Sequence, residues 1–473
     1  MKLPQFNKNS LATAVVFAGA MLATQLVQAQ PAVVTEATEE ALQAALDSGA
    51  REIVIATEGD MIVIDDTLTY DGDKPLSIFG SGQTIKAEAD VTVLTVTNGA
   101  SLTVVGVNFM GPGGFDIENQ GFGKGVFVDV RDNQNGLVKL VMKNSTVSGV
   151  ANHGIHVSDC DLADDCGGGG GGSGGGSSAS ITVELTNVVV DDVGNGKFDA
   201  DGVRVDERAN GNILFRADNS TFTGVGADGI ELDEGQNGVV QATVTNSSFT
   251  ENGTYCDPDL LEEFLPEPAE REEIPEGEVL PEDITPSLTP DSGCFEVEFE
   301  THPDGSVLEY EVALDLDDGF DIDEAGNGGV KARIFSTIIE NNDDEGLDFD
   351  EEDNGGIDLV VVDSEASNNR DDGIKLSEEG PGKVTVLQLA TNTFDNGGKG
   401  SVFEEADQGD LEAVVENSET GGNDGGDVGI EAVQEDQGTG ILTLSNTTVG
   451  ETETGDDFPI PGVEAVGVEV IDN

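Results

Sequence analysis

The sequence predicts an all-β chain wound as a parallel solenoid, with three short strands and about 27 residues in each coil. Three observations predict it: a fixed period of paired glycines, an alternation of apolar and polar residues after each first glycine, and turn signals that divide every period. The first glycine falls at Gly202, Gly229, Gly319, Gly346, Gly373 and Gly400, with steps of 27 residues from 202 to 229 and along 319, 346, 373 and 400. Nine residues after each comes a second, at Gly211, Gly238, Gly328, Gly355, Gly382 and Gly409. Weaker copies stand at Gly125, Gly154, Gly429 and Gly467. The step from 229 to 319 is 90, or 27 plus 63, so one coil carries a large insertion; the step from 154 to 202 carries a smaller one. Coils of this length bury a core only by stacking on their neighbours.

Within one period, "GIELD" alternates apolar and polar residues as a half-buried strand does. "QNG" turns the chain, since Asn and Gly tolerate positive φ. "VVQATVT" is a second strand, "NSSF" opens a third, and "ENG" turns back. Asn144, Asn219, Asn246, Asn417 and Asn446 recur before Ser or Thr at comparable places. Buried and stacked coil on coil, such asparagines satisfy one another's amides. This periodicity argues against the disorder that high charge and low hydrophobicity otherwise suggest.

The N-terminus carries Lys2 and Lys8, then "LATAVVFAGAMLATQLV" and the small-residue site Val27-Gln28-Ala29. That order predicts a signal peptide over residues 1–29, cleaved after Ala29, and a secreted, periplasmic or cell-surface protein. No later segment has the length to span a bilayer. Cys160, Cys166, Cys256 and Cys294 make an even set, which favours two disulfides in an exported chain. Of the three pairings, Cys160–Cys166 and Cys256–Cys294 are the most local, each stapling the base of a loop. The spacing is not CxxC, which argues against zinc or redox chemistry.

The iterated "DGIxLxE…NG…VTNSxF…NG" coil and the asparagine row resemble right-handed parallel β-helix proteins of the pectate-lyase-like superfamily. The stretch from Thr38 to Ile85, "TEEALQAALDSGAREIVIATEGDMIVIDDTLTYDGDKPLSIFGSGQTI", resembles the way such proteins open. The resemblance implies an all-β, right-handed parallel β-helix over 51–473, capped by an amphipathic helix within 30–50. Ala41, Leu42, Ala45 and Leu46 form the apolar stripe of that helix and Gly49 its stop. Two segments depart from the coil: a Gly-rich loop at 167–178 and an acidic Pro/Glu-rich insertion at 257–310, with a hairpin expected from "FEVEFE" and "VLEYEVALDL".

Formal charge is 20 − 95 = −75, which opposes a nucleic-acid or anionic-membrane partner. Counting from the first glycine, positions one and three are apolar: Ile230 and Leu232, Phe320 and Ile322, Leu347 and Phe349, Ile374 and Leu376. By the two-residue period of a strand they face the core, and positions two and four face solvent. Position two reads Arg204, Glu231, Asp321, Asp348, Lys375; position four reads Asp206, Asp233, Asp323, Asp350, Ser377. Position five adds Glu207, Glu234, Glu324, Glu351, Glu378 and Glu405. Strands stacked about 4.8 Å apart place like charges side by side, at roughly 1 kcal/mol per pair in water and several times more at lower dielectric. Bound Ca²⁺ is the expected offset, with Asp206, Glu231, Asp233, Glu234, Asp321, Asp323, Glu324, Asp348, Asp350 and Glu351 as ligands. The spacing matches neither an EF-hand nor a nonapeptide calcium repeat.

The superfamily includes calcium-dependent lyases with an Arg or Lys base, and the resemblance makes Arg204, Arg208 and Lys375 the candidates here. It also includes hydrolases with clustered aspartates, a His and an Arg-x-Lys signature. Acidic pairs occur at Asp317–Asp318, Asp343–Asp344 and Asp371–Asp372, but Arg-x-Lys does not, and the histidines are His153, His156 and His302. With no tryptophan and few aromatics to stack on sugars, the expected function is an exported, calcium-binding structural, surface or adhesion protein without catalysis. A polysaccharide lyase or glycoside hydrolase is the alternative. Expected partners are extracellular glycans or cell-surface and matrix components, with self-association through the last coil, "GVEVIDN".

Overall fold

A computed structural model describes residues 30–472 apart from 60, 131–133, 160–175, 267, 272, 279–292, 425–427, 436 and 451–459. The expected signal peptide over 1–29, Cys160, Cys166 and most of the Gly-rich loop lie outside the described residues. The chain is a right-handed parallel β-helix. Among the described residues, a front sheet of twelve parallel strands, from Leu68–Tyr70 to Val463–Val466, is stacked in strict chain order, and a back sheet of 22 strands forms the other two sides. Early coils cross it as single 16-residue strands, Asn135–Val150 and Ser178–Val193. Later coils split in two, as at Val330–Phe335 and Ile338–Glu340. The split falls on a left-handed residue in each coil, Asn219, Asn246, Ser336, Asp363, Ala390 or Asn417, with φ between 50° and 55°. Asparagine adopts that region more readily than other L-residues, which accounts for its recurrence there.

Register follows the glycine period. Val203 lies opposite Ile230, Ile230 opposite Phe320 across the insertion, and Phe320 opposite Leu347. All four are fully buried, as are Leu232, Ile322, Phe349, Ile374 and Leu376. Phenylalanines stack along the core: Phe222 on Phe249 at 5.1 Å, Phe249 on Phe320 at 5.6 Å, and Phe320 meets Phe349 edge-on at 5.3 Å.

The predicted asparagine row is present but exposed: Asn187 donates to Asn144, Asn219 to Asn187 and Asn446 to Asn417. The buried ladder is a different one, at the turn before the front strand. There Asn252, Asn342, Asn369, Asn396 and Asn423 pass one amide bond to the next at 2.8–3.0 Å. Each sits just inside the turn, where a buried amide must find a partner and the coil one step along supplies it.

The cap helix runs Glu39–Asp47, with Thr38 accepting from Ala41 N–H and Leu42, Ala45 and Leu46 buried on the first coils. The insertion contains an antiparallel hairpin, Phe295–Thr301 against Val307–Leu314, extended by Glu270–Arg271. Cys256 and Cys294 are disulfide-bonded. With Tyr255, Leu261 and Phe295 they form a small apolar cluster, apart from the main core, that takes in Phe198 and Ile117 from earlier turns. Among the described residues no helix is long and apolar enough to cross a membrane.

Candidate functional site

The front strands bring His156, Arg204, Glu231, Asp321, Asp348 and Lys375 into one row, and Ser158, Asp206, Asp233, Asp323, Asp350 and Ser377 into the next. The sequence places these rows in solvent, and there the structure differs. Asp206 and Asp233 are fully buried, Arg204, Glu231 and Asp348 nearly so, and Asp321, Asp323, Asp350 and Lys375 half-buried. The side chains lie down on one another because cations embedded among them pull them in. The turn carrying Asp199 and Asp201, braced through Phe198 by the insertion's cluster, closes one flank.

Glu234, Glu324 and Glu351, predicted as ligands in these rows, point the other way. Position five shares the parity of positions one and three, so Glu207, Glu234, Glu324, Glu351, Glu378 and Glu405 face inward and are no more than 1% exposed. Their heads fill the space beside the second glycine of each coil. A Cβ on Gly355 or Gly382 would stand 2.0 Å from the Oε1 of Glu351 or Glu378. Burial, then the facing glutamates, pushes Glu234 and Glu351 up to about 10.

At the N-terminal end of the face, Arg204 is held by five carboxylates. Its Nε donates to Asp206 Oδ1 at 2.8 Å, its Nη1 reaches Asp199 at 3.0 Å, Asp201 at 3.5 Å and Glu231, and its Nη2 meets Asp233 at 3.3 Å. Arg208, fully buried, pairs with the same Asp233. Neither guanidinium has a free face for a substrate carboxylate. His156 Nε2 bonds Asp206 Oδ2 at 2.7 Å, and its Nδ1 contacts Lys124 Nζ. The rings of His156 and His153 lie 4.6 Å apart, and His153 Nδ1 accepts from Asp201 N–H at 2.9 Å.

The pKa values in this corner are driven apart. Burial, with Lys124 beside it, lowers His156 to about 4, and burial lowers Lys124 to about 8. Burial alone would raise Asp206, but Arg204 and His156 together outweigh it and hold Asp206 well below the usual carboxylate range. Burial lifts Asp201 to about 7 against the pull of Arg204. Lys124 was not singled out in the sequence, yet it stands directly before Gly125, where later coils carry Asp201, Asp228 and Asp318. That substitution was the available signal.

Further along the face the carboxylates outnumber the cations. Lys375 Nζ binds Asp348 at 2.7 Å and Glu345 at 3.0 Å. Between Arg204 and Lys375 lies a group in which oxygens of Glu231, Asp321 and Asp323 fall within 4.8 Å of one another. Similar groups occur at Asp318, Glu345 and Asp348, at Asp199, Asp201 and Glu231, and at Asp344, Glu345 and Asp371; Arg204 or Lys375 pairs with a member of each, and Arg204 also pairs with Glu231 of the first group, whose Asp321 and Asp323 make no salt bridge among the described residues. Next to the first group, Asp233 Oδ1 and Asp350 Oδ1 are buried without a hydrogen-bond partner. Burial, then Asp323, pushes Asp321 well above the carboxylate range, and burial raises Asp350 to about 7. An all-oxygen set with unpartnered buried oxygens suits a hard cation and fits Ca²⁺.

No protein-family model matches the chain. No curated protein matches it either. Solved structures do. The enzymatically active domain of tailspike protein 2 from bacteriophage CBA120 is 13% identical, with a TM-score of 0.46 over 92% of this chain and 49% of that one. The A-module of mannuronan C-5 epimerase AlgE4 from Azotobacter vinelandii is 10% identical, with a TM-score of 0.43 over 92% of each chain. A variant of the periplasmic alginate epimerase AlgG is 11% identical, with a TM-score of 0.37 over 90% of this chain and 78% of that one. The chain spans about half the length of the tailspike chains it matches. At this distance the likeness is one of architecture, and nothing about activity follows from it.

Proposed function

We propose that this is an exported β-helix protein whose front groove holds Ca²⁺ between Arg204 and Lys375 and engages an extracellular polysaccharide. The observation that carries this reading is the Glu231, Asp321 and Asp323 group, flanked by the buried, unpartnered oxygens of Asp233 and Asp350. Glu231, Asp321 and Asp323 would hold the ion, which supplies positive charge to offset the groove. Thermal melts with Ca²⁺, against Na⁺ at matched ionic strength, test it. At free Ca²⁺ one hundred times Kd, stabilisation of about 2.7 kcal/mol is expected, and Asp321→Asn with Asp323→Asn removes it. Equal melting points in the two salts would rule the ion out.

A second reading, catalysis on the same polysaccharide, is favoured by the Lys124–His156–Asp206 corner. Lys124, lowered to about 8, can take up or release a proton near neutral pH, while His156, lowered to about 4, stays neutral and is held between Asp206 and Lys124, where it positions the ammonium. The acidic groove favours a neutral glycan over a polyuronate. Incubation with neutral and acidic polysaccharides, assayed for unsaturated products and new reducing ends, distinguishes the readings. Catalysis predicts products that vanish in His156→Ala while its melting temperature holds; no product from any polysaccharide leaves binding alone.

A further inference from the structure

The outward face of the back sheet carries a field of apolar side chains that the coil itself does not require. On the strands Val330–Phe335, Ile357–Val362, Lys383–Leu389 and Asp410–Glu416, the residues Ile334, Val361, Val386 and Val415 are buried in the core. By the two-residue period, Phe335, Val360, Val362, Leu387, Leu389 and Val414 point outward, each with part of its surface in solvent. Register stacks them. Val360 lies opposite Leu387 and Leu387 opposite Val414, with Phe335, Val362 and Leu389 in the next column. A near-continuous apolar run such as Leu359–Val362 marks a parallel strand covered on both faces.

The same field is close to neutral in a chain with a formal charge of −75. The strand before it, Val240–Thr245, and the strand after it, Gly440–Ser445, carry no charged side chain. Of the charges within it, Arg333 pairs with Asp358 at 2.6 Å and Lys383 with Glu412 at 2.9 Å. The charges are also sorted along the stack. Lys331, which forms no salt bridge among the described residues, stands with Arg333 on the first of the four strands, and Asp410, Glu412 and Glu416 stand on the last.

A two-fold axis parallel to the strands, passing between Ile357–Val362 and Lys383–Leu389, lays this face on a second copy of itself with the solenoids antiparallel. Val360 then meets Leu387 of the second copy, Val362 meets its Leu389, and Lys331 meets its Glu412 and Asp410. The strands stay aligned, as in sheets that pack face to face about 10 Å apart. Six strands about 4.8 Å apart, each of about six residues at 3.3 Å, give a face of roughly 29 by 20 Å. Two copies then bury roughly 1,100 Å², above the lower bound of about 1,000 Å² for a specific interface.

We propose that two copies of this chain associate through this face of the back sheet as a reversible, antiparallel two-fold dimer. The groove lies on the front sheet, so both grooves stay open, and the dimer stands whether or not either reading of the groove does.

Sedimentation of the mature protein from about 1 to 100 µM, in enough salt to screen its net charge, tests the proposal. A shift from monomer to dimer over that range is expected. Leu387→Glu puts a charge at the centre of the face and is expected to weaken the dimer about a hundredfold, with the melting temperature of the monomer held because the side chain points outward. Lys331→Glu and Glu412→Lys decide the arrangement, and Glu412→Lys gives up only an exposed pair with Lys383. Each alone sets like charges against each other twice across the two-fold and is expected to stay monomeric. Mixed, they set opposite charges against each other twice and are expected to sediment as a heterodimer. These two variants also test the face if Leu387→Glu does not fold. Monomer at every concentration of the wild type overturns the proposal. A dimer that survives Leu387→Glu overturns it too, and places the contact elsewhere, as at the edge of the last coil. A mixture that stays monomeric overturns the antiparallel two-fold.

Discussion

Arg204→Ala is expected to destabilise the protein by about 3–5 kcal/mol, the usual result of removing one partner from a buried ion network. Arg204 touches Asp199, Asp201, Asp206, Glu231 and Asp233, and three of those, Asp201, Asp206 and Asp233, are fully buried. Without the guanidinium these carboxylates can relieve repulsion only by taking up protons, so their folded pKa values rise above the unfolded ones. A raised folded pKa gives stability that is present at low pH and lost as pH rises. The melting temperature of Arg204→Ala should therefore recover on acidification towards pH 5, where the wild type, with Asp206 held low, gains less. Arg204→Lys should rescue only part, since an ammonium cannot address five carboxylates in the plane of a guanidinium. A loss of under 1 kcal/mol with no recovery in acid would mean that the network is solvated and that Arg204 is an ordinary surface ion pair.

The coil geometry was legible in the sequence because its cause is periodic. The 27-residue step placed Val203, Ile230, Phe320 and Leu347 in one buried column, and the 90-residue step identified the insertion without disturbing that column. The hairpin at Phe295–Leu314 was legible from alternation and β-branched content. What escaped were properties that depend on what lies across a gap. Glu351 shares the parity of Leu347 and Phe349, yet its charge suggested an outward side chain; the pocket made by Gly355 is what lets it stay inside. The buried ladder from Asn252 to Asn423 reads in sequence as ordinary turn residues, since Asn beside Gly or another Asn marks a turn whether or not its amide is buried. The Lys124–His156–Asp206 corner joins three coils, with 32 residues between Lys124 and His156 and 50 between His156 and Asp206, and no local spacing encodes it.

Phe320→Ala should split the melt of the protein into two transitions, besides removing about 3–5 kcal/mol of core packing. In a stacked solenoid each coil contacts only its neighbours, so stability is a sum of coil and interface terms and the stack parts where an interface is weakest. Phe320 begins the first front strand after the insertion and bridges it: its ring packs on Phe249 at 5.6 Å and Phe215 at 6.1 Å on one side and on Phe349 at 5.3 Å on the other. The insertion adds chain between these coils without adding core beneath them, because its apolar cluster around Cys256 and Cys294 is separate from the main one. With the Phe320 ring removed, the halves before and after this interface keep their own columns but lose the aromatic contact that couples them. Hydrogen exchange should then show the coils after 319 opening as one unit, with the coils before 229 still protected. Phe403→Ala, equally buried but near the C-terminal end, is the control: it should loosen the last coils and leave a single main transition. If Phe320→Ala lowers the melting temperature but circular dichroism and tyrosine fluorescence still trace one coincident transition, coupling across the insertion resides in the back sheet. There Val240 pairs with Val330 and Ser248 with Ile338, and the aromatic stack would be packing without being the joint.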